Sequence, residues 1–230
     1  ISLFPQKTFK GRKNGLRADL AQAIADIRPR FVRFPGGCLA HGDGVDNIYH
    51  WKETIGRWKP ENRRPTSGVT TRRAAWATSS ISSSARTSVP TAAVVAAGVP
   101  CQNSGIGGPS HHSKDIVTSL GQQGGIPMEE MGQYIQDVLD LIEYANGDAK
   151  TTRWGRERAK AGHPEPFNLK YIGLGNEDLI SVFTERFTMI YEAIRAKYPD
   201  IVVIGTTGPS CEGTDYEEGW ALADRLKLPW

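Results

Sequence analysis

Strand-like and helix-like patterns alternate along this chain, and that alternation restricts the possible fold more than any other feature. Helical spacing of apolar residues predicts helices over 16–27, 127–147, 183–194 and 217–228. Short apolar runs ended by Gly or Pro predict strands over 31–34, 94–99, 169–175 and 201–209. Strands that alternate with helices join into a parallel sheet through right-handed crossovers, so we predict an α/β fold. An open doubly wound sheet and a (β/α)8 barrel both satisfy this order.

The composition argues against several classes of partner. The formal net charge is +3 and the basic residues are scattered apart from short runs such as Arg63-Arg64, so no nucleic-acid partner is expected. The longest apolar runs are far short of the roughly 18 residues that cross a bilayer, so no membrane partner is expected. Three widely spaced cysteines favour neither a disulfide scaffold nor a zinc finger. Periplasmic, extracellular and cytoplasmic locations all stay open.

Polar residues follow the predicted strands at the edge where ligands bind in both closures. Asn176 and Glu177 come directly after the strand over 169–175. A Glu whose pKa is raised by loss of solvent can donate a proton, and an Asn beside it can hold a sugar hydroxyl. The alternative is structural, because an Asn-Glu-Asp run before a helix is also ordinary N-terminal capping chemistry.

Three other features each have a functional and a structural interpretation. The adjacent pair His111-His112 lies in a Gly/Ser-rich loop, where neighbouring side chains point apart, so we predict no metal site. The stretch SGIGGPS over 104–110 lacks the complete spacing of a phosphate-binding loop. Trp51 and Trp58 lie in or beside a long polar loop, where they either stack on a sugar ring or pack the loop.

Four long segments resemble family 51 glycoside hydrolases, the α-L-arabinofuranosidases. They are FVRFPGGCLAHGDGVDNIYHWKETIG, AGVPCQNSG, GGIPMEEMGQYIQDVLDLIEYANGD and FNLKYIGLGNEDLISVFTERFTMIYEAI. The resemblance implies that residues 1–230 form a fragment of a (β/α)8 catalytic domain, roughly strands two to five with their helices. It also implies retaining hydrolysis of terminal arabinofuranosyl groups in arabinose-containing oligosaccharides or polysaccharides, no cofactor, and homo-oligomeric full-length members.

The resemblance carries roles to individual residues. Glu177 falls on the family's general acid/base, and Asn176 falls on its sugar-binding neighbour. Arg33 and Cys38 fall on the rim of the active site after the second strand, and Asn103 is expected on the same rim. The family's nucleophile, a Glu after the seventh strand, would lie beyond Trp230, so we expect this chain alone to be inactive.

Two hypotheses from different classes remain at this point. The first is a retaining arabinofuranosidase, which needs a second carboxyl group about 5 Å from the acid/base. The second is a non-catalytic α/β module that binds a sugar or a nucleotide, or a remnant of an enzyme. Active-site Glu residues encoded on the family's other strands would favour the enzyme.

The segment 66–92 departs from the family pattern and contains thirteen Ser or Thr between Thr66 and Thr91. In this segment the resemblance implies a peptide such as YFEYFQFCEDI. One set of codons for that peptide, read one nucleotide late, translates as TSSISSSARTS, which is the sequence of 78–88. Codons for WGYHQT, read in the same way, give GVTTRR, the sequence of 68–73. The alternative is a Ser/Thr-rich linker. We predict a frame disturbance over 66–92. We expect Thr66 to Thr91 to be either the least ordered part of the chain or a helix with few buried contacts.

Overall fold

The computed structural model of the protein describes residues 5–11, 15–28, 32–34, 50–55, 63–66, 70–73, 91–95, 126–175, 180–207 and 211–227. Within these ranges the helices are α1 (Ala18–Asp26), α2 (Met131–Asn146), α3 (Arg153–Lys160), α4 (Ile180–Lys197) and α5 (Thr214–Arg225). The strands are β1 (Val32–Phe34), β2 (Arg63–Thr66), β3 (Thr70–Arg73), β4 (Thr91–Val95), β5 (Tyr171–Leu174) and β6 (Val202–Ile204). Short 3-10 helices cover Phe9–Gly11, Trp51–Thr54 and Met128–Glu130.

Four of these strands form one parallel sheet, in the order β1-β4-β5-β6. The strands follow one another across the sheet in chain order, without reversal. Each predicted strand has an observed counterpart, although β4 begins at Thr91, three residues before the predicted start at Val94. The α/β prediction is therefore confirmed within the described residues.

Helices α2 and α4 cover one face of the sheet and supply most of its core. The four apolar residues that predicted α4 (Phe183, Phe187, Ile190 and Ile194) are all fully buried. They pack with Ile172 and Leu174 of β5, and Val203 of β6 is packed against the same cluster. Burial of each large side chain stabilises the fold by roughly 1.5–3 kcal/mol, so the 3.6-residue stripe of α4 accounts for its docking.

The opposite face of the sheet carries exposed apolar side chains. Val202 and Ile204 of β6 are 47% and 45% exposed, whereas Val203 between them faces the helices. Side chains alternate across a strand, so the first two point away from the helical layer. Within the described part of the chain, this face of the sheet is open.

Helix α1 forms as predicted, but its apolar stripe lies in solvent in the described structure. Leu20, Ile24 and Ile27 are exposed, the last at 76%, and Ala21 is the residue of the helix that is buried. Helical periodicity predicted the helix correctly. It did not indicate which element, if any, would cover the stripe.

The segment that departs from the family pattern contributes a strand. β3 pairs antiparallel with β2, with Arg63 opposite Arg73 and Thr66 opposite Thr70. Thr70–Arg73 is therefore a strand and not part of the helix that one alternative predicted. The other alternative, that 66–91 is the least ordered part of the chain, stays a prediction. Residues 74–90 lie outside the described residues.

Helix α3 was not predicted, because no apolar stripe marks the segment RWGRERAK. Its buried positions are Gly155 and the fully buried Arg158. The guanidinium of Arg158 donates to the backbone carbonyls of Tyr144, Gly147, His163 and Pro164 at 2.7–3.1 Å. Two of these carbonyls belong to the C-terminal end of α2, where a positive charge complements the helix dipole. Arg158 thus joins α2, α3 and the 163–164 loop.

We expect Arg158→Met to lower the free energy of unfolding by about 3–5 kcal/mol, because several buried carbonyls lose a charged donor at once. Urea denaturation of the two proteins measures this difference. Arg156→Met is the matched control, since Arg156 is exposed on the same helix and donates to the Lys150 carbonyl alone. The control should change stability by less than about 1 kcal/mol. Equal effects of the two substitutions would show that Arg158 does not brace this region.

Gly147 ends α2 in a different way from the expected one. A glycine at the end of a helix can close it in a left-handed turn, and the sequence allows this at Gly147. In the structure Gly147 has φ −64° and ψ 147°, which is extended backbone. A Cβ on this residue would lie 2.5 Å from both the Glu143 carbonyl oxygen and the Thr152 hydroxyl. Glycine is therefore required because the chain passes close to its neighbours, and not because of its own dihedral angles.

Candidate functional site

The carboxyl ends of the parallel strands meet at one edge of the sheet, as the sequence predicted. Phe34, Val95, Leu174 and Ile204 are the last residues of β1, β4, β5 and β6. The register pairs Val95 with Leu174, so neighbouring strands end close to one another. In α/β proteins this is the edge at which ligands bind.

Strand β5 is deeply buried where it reaches this edge. Ile172 and Leu174 are almost completely buried, and the chain leaves the strand through buried Gly175. Gly175 has φ +78°, a conformation that side chains with a Cβ rarely adopt. The backbone therefore changes direction immediately after the strand.

The two principal candidates, Asn176 and Glu177, lie outside the described residues. They belong to the four-residue connection 176–179 between Gly175 and the first residue of α4, Ile180. A connection of this length keeps both residues within a few residues of the carboxyl end of β5. Their roles stay predictions.

Arg33 is the predicted site residue that the structure describes. It lies in β1 one residue before the carboxyl end and is exposed. The register places it in one row across the sheet with Ala92, Tyr171 and Val202. Paired residues of parallel strands point to the same face, so Arg33 lies on the open face, opposite the helices. Cys38 and Asn103 lie outside the described residues.

Hydrogen bonds from the helices hold β5 and the start of α2 in place. Asn146 at the end of α2 accepts from the Leu169 amide at 2.7 Å and donates to the Leu169 carbonyl at 2.8 Å. Arg186 of α4 is buried and donates twice to the Ile126 carbonyl, at 2.8 and 2.9 Å. These bonds join segments 23 and 60 residues apart, so no local sequence signal predicted them.

A charged and aromatic cluster joins the segment after β1 to helix α2. The Lys52 ammonium donates to Asp137 at 2.6 Å and to Asp140 at 2.5 Å. It also lies 4.8 Å from the centre of the Trp154 ring, within cation–π range. Partial burial acts to lower the pKa of Lys52, but its hydrogen bonds to the two carboxylates outweigh that effect, and its pKa is raised. The ammonium is therefore fully charged at neutral pH.

Trp51 packs inside this cluster and does not offer an open stacking surface. It is 5% exposed, and its ring centre lies 5.4 Å from that of Tyr144 and 5.0 Å from that of Trp154. Its indole N–H donates to the Asp137 carbonyl at 2.9 Å. Of the two alternatives for Trp51, the structure supports packing. Trp58 lies outside the described residues.

Sequence reasoning missed Lys52, Asp137 and Asp140 as a unit. One local signal was present, because Gln133 and Gln136 each lie four residues before one of the aspartates and donate to it. The partner Lys52 lies more than 80 residues earlier, and nothing in the local pattern links it to α2.

Within the described ranges, neither a metal cluster nor a membrane-spanning helix is present. No group of three or more His, Cys, Asp or Glu side chains in these ranges could hold a metal ion. No helix in the described part of the chain is long and apolar enough to cross a membrane. His111, His112 and the 104–110 loop lie outside it.

A family model and the sequences of known relatives all match this chain to alpha-L-arabinofuranosidases. The model of the alpha-L-arabinofuranosidase 1 domain matches residues 23–223. The extracellular exo-alpha-L-arabinofuranosidase of Streptomyces chartreusis is 36% identical, over 96% of this chain and 26% of that protein. Alpha-L-arabinofuranosidase 1 of Arabidopsis thaliana is also 36% identical, over 94% of this chain and 28% of that protein.

A solved structure extends the likeness to three dimensions. An arabinose-bound family 51 alpha-L-arabinofuranosidase (MgGH51) superposes with a TM-score of 0.74 and 28% identity, covering 87% of this chain and 29% of that one. The chain thus spans between a quarter and a third of the length of these three proteins. The matched domain, the sequence identity and the shared arrangement of strands establish that the chain belongs to glycoside hydrolase family 51, the family of the alpha-L-arabinofuranosidases.

Proposed function

We propose that this chain forms part of the catalytic domain of a retaining glycosidase that releases terminal α-L-arabinofuranosyl groups from arabinose-containing oligosaccharides or polysaccharides. The observation that carries the proposal is the sequence Asn176-Glu177 directly after the buried parallel strand β5, in a chain that the family matches over 23–223. In this proposal no metal or cofactor takes part in the reaction.

The domain would be a (β/α)8 barrel, of which residues 1–230 supply roughly strands two to five. Two observations support a barrel over a doubly wound sheet. The order β1-β4-β5-β6 follows the chain without the reversal that defines a doubly wound sheet. Val202 and Ile204 are exposed on the face away from the helices, and a barrel fills that face with side chains from its other strands.

Glu177 would act as the general acid and then as the general base. As acid it gives its proton to the glycosidic oxygen while that oxygen leaves the sugar carbon. A second carboxylate, about 5–5.5 Å away, bonds to the same carbon in retaining enzymes. Glu177 then removes a proton from water, and the water oxygen displaces the second carboxylate and releases arabinose.

The other predicted residues would bind the sugar. Asn176 would contact a hydroxyl beside the acid/base, and Cys38 and Asn103 would complete the rim. Arg33 lies on the open face of the sheet, which would be the interior of the barrel. Its five N–H donors suit the ring hydroxyls of a sugar or a catalytic carboxylate.

The direct test is a hybrid protein in which residues 23–223 replace the matched part of the Streptomyces relative, with 66–92 in the restored frame. We expect the hybrid to hydrolyse para-nitrophenyl α-L-arabinofuranoside. The 230-residue chain alone should not, because the resemblance assigns the second carboxylate to a later strand. A correctly folded hybrid that binds but does not hydrolyse the substrate would favour the non-catalytic module.

A further inference from the structure

A cleft lies between the 3-10 helix Trp51–Thr54 and helix α2. Its lining includes Trp51, Val138, Tyr134, His50, Asp137 and Glu53, and Lys52 also borders it. This space, the Trp51 cleft, has a volume of about 230 Å³. Sites for drug-sized ligands occupy about 300–1,000 Å³, so the cleft fits one small unit and not an extended chain.

The cleft contains the carboxylate of Asp137, of which one oxygen accepts two hydrogen bonds. Asp137 Oδ1 accepts from Lys52 at 2.6 Å and from Gln133 at 3.0 Å. Among the described residues no donor contacts its Oδ2. The Lys52 ammonium already donates to Asp137 and Asp140 and lies over the Trp154 ring. The polar group that remains for a ligand on this side is therefore an acceptor fixed by two neighbours.

The other walls suit the less polar faces of a ligand. The Trp51 ring and Val138 are buried, and Tyr134 and His50 are half-buried. Aromatic side chains present flat apolar surface together with a polar group at the edge. An apolar lining with few well-placed polar groups is the usual composition of a small-molecule site.

The charge around the cleft selects among ligand classes. Among the described residues, two carboxylates, Asp137 and Asp140, share the ammonium of Lys52. An anionic ligand such as a phosphate or a uronic acid would be repelled. In the described residues no three metal-ligating side chains converge, so a metal ion does not fit either. A neutral ligand with hydroxyl donors and apolar C–H faces matches both the acceptor and the rings.

We propose that the Trp51 cleft binds a neutral pentose unit of the polysaccharide, at a subsite formed by α2 and the Trp51–Thr54 helix and not by the residues that follow β5. The sugar's hydroxyls donate to Asp137 Oδ2, and its ring lies against Tyr134 and His50. The choice of a pentose rests on the proposed function, whereas the existence of the subsite rests on the cleft itself. Such a subsite would hold a second sugar unit of a branched substrate.

The test is a titration of the 230-residue chain with arabinotriose, followed by proton–nitrogen correlation NMR. The indole N–H of Trp51 is the reporter, because it donates to the Asp137 backbone, and Trp51→Phe assigns its signal. We expect a saturable shift with a Kd on the order of 1–10 mM, the strength that about ten ligand atoms can supply. A trisaccharide of galacturonic acid, which is anionic, should produce no saturable shift.

Two variants and one control locate the binding. Asp137→Asn should weaken binding about tenfold, because a charge-assisted hydrogen bond is lost. Tyr134→Ala should weaken it without any change of charge. Asp140→Asn is the matched control, since Asp140 shares Lys52 but does not line the cleft, and it should leave Kd within about twofold.

Several results would overturn the subsite. They are a missing or undispersed Trp51 signal, no saturable shift with arabinotriose, an equal shift with the anionic trisaccharide, and equal Kd values for Asp137→Asn and Asp140→Asn. Hydrolysis by the hybrid protein without any Trp51 shift would remove the subsite and leave the proposed function intact. Binding at Trp51 without hydrolysis by the hybrid would support the subsite and argue against the proposed function.

Discussion

Glu177→Gln in the hybrid protein is expected to lower kcat about 10²–10⁴-fold for natural arabino-oligosaccharides, the range that general acid–base catalysis supplies. The amide has nearly the same shape as the carboxyl group but cannot give a proton to the leaving oxygen. Substrate binding, measured as Kd for arabinotriose, should change little. Kinetics on purified proteins measure both quantities.

The leaving group separates an acid/base from a residue that merely supports the fold. A dinitrophenolate leaves without protonation, so the first step of Glu177→Gln on an aryl arabinofuranoside should be nearly as fast as in the parent hybrid. The second step should then be slow, and azide, which needs no base, should accelerate it. A structural defect would slow all substrates equally and would not respond to azide.

Glu185→Gln supplies the matched control for this experiment. Glu185 is an exposed carboxylate on α4, eight positions beyond Glu177 in the chain. Its substitution makes the same chemical change a short distance along the chain and should leave kcat within about twofold. If Glu177→Gln retains the kcat of this control on natural substrates, Glu177 is not the acid/base.

Restoring the reading frame over 66–92 is expected to raise the free energy of unfolding by several kcal/mol. The restored segment would contain YFEYFQF in place of the Ser/Thr-rich run, and each aromatic residue that becomes buried contributes roughly 1.5–3 kcal/mol. Four such residues correspond to about the whole net stability of a domain, which is about 5–15 kcal/mol.

The nucleotide sequence comes first, because it tests the cause directly. Read one base earlier between the codons for Thr66 and Ala92, it should encode WGYHQT and YFEYFQFCEDI. Urea denaturation of the present and the restored chains then measures the stability difference. A restored chain with its aromatic residues changed to Ser is the control, and it should lose the gain. A gene that encodes neither motif in any frame would refute the frame disturbance.

Helix α4 shows what local patterns determine by themselves. Phe183, Phe187, Ile190 and Ile194 recur at helical spacing, and all four are buried in the structure. Burial of one helical face is a property of a single segment and of its period, so it can be predicted before the partner is known. The alternation of such segments with short strands determined the α/β class in the same way.

Trp51 shows what the sequence left open. Its neighbours allowed stacking on a sugar or packing, and contacts with Tyr144 and Trp154, about 90 and 100 residues later in the chain, decided for packing. The same holds for Gly147, where the approach of Thr152 and Glu143, and not a left-handed turn, requires glycine. Each outcome depended on a neighbour that the local pattern does not name.

The sequence by itself determined the alternating elements, the parallel sheet and, through its long motifs, the family. Tertiary structure alone decided how charged residues are used. Arginine is mostly exposed in proteins, yet Arg158 is buried because four backbone carbonyls converge on it. Lys52 and Asp137 likewise meet only because a segment after β1 packs on α2. Hydrophobic patterning is periodic and local, whereas the pairing of polar groups depends on geometry that forms only when distant segments pack.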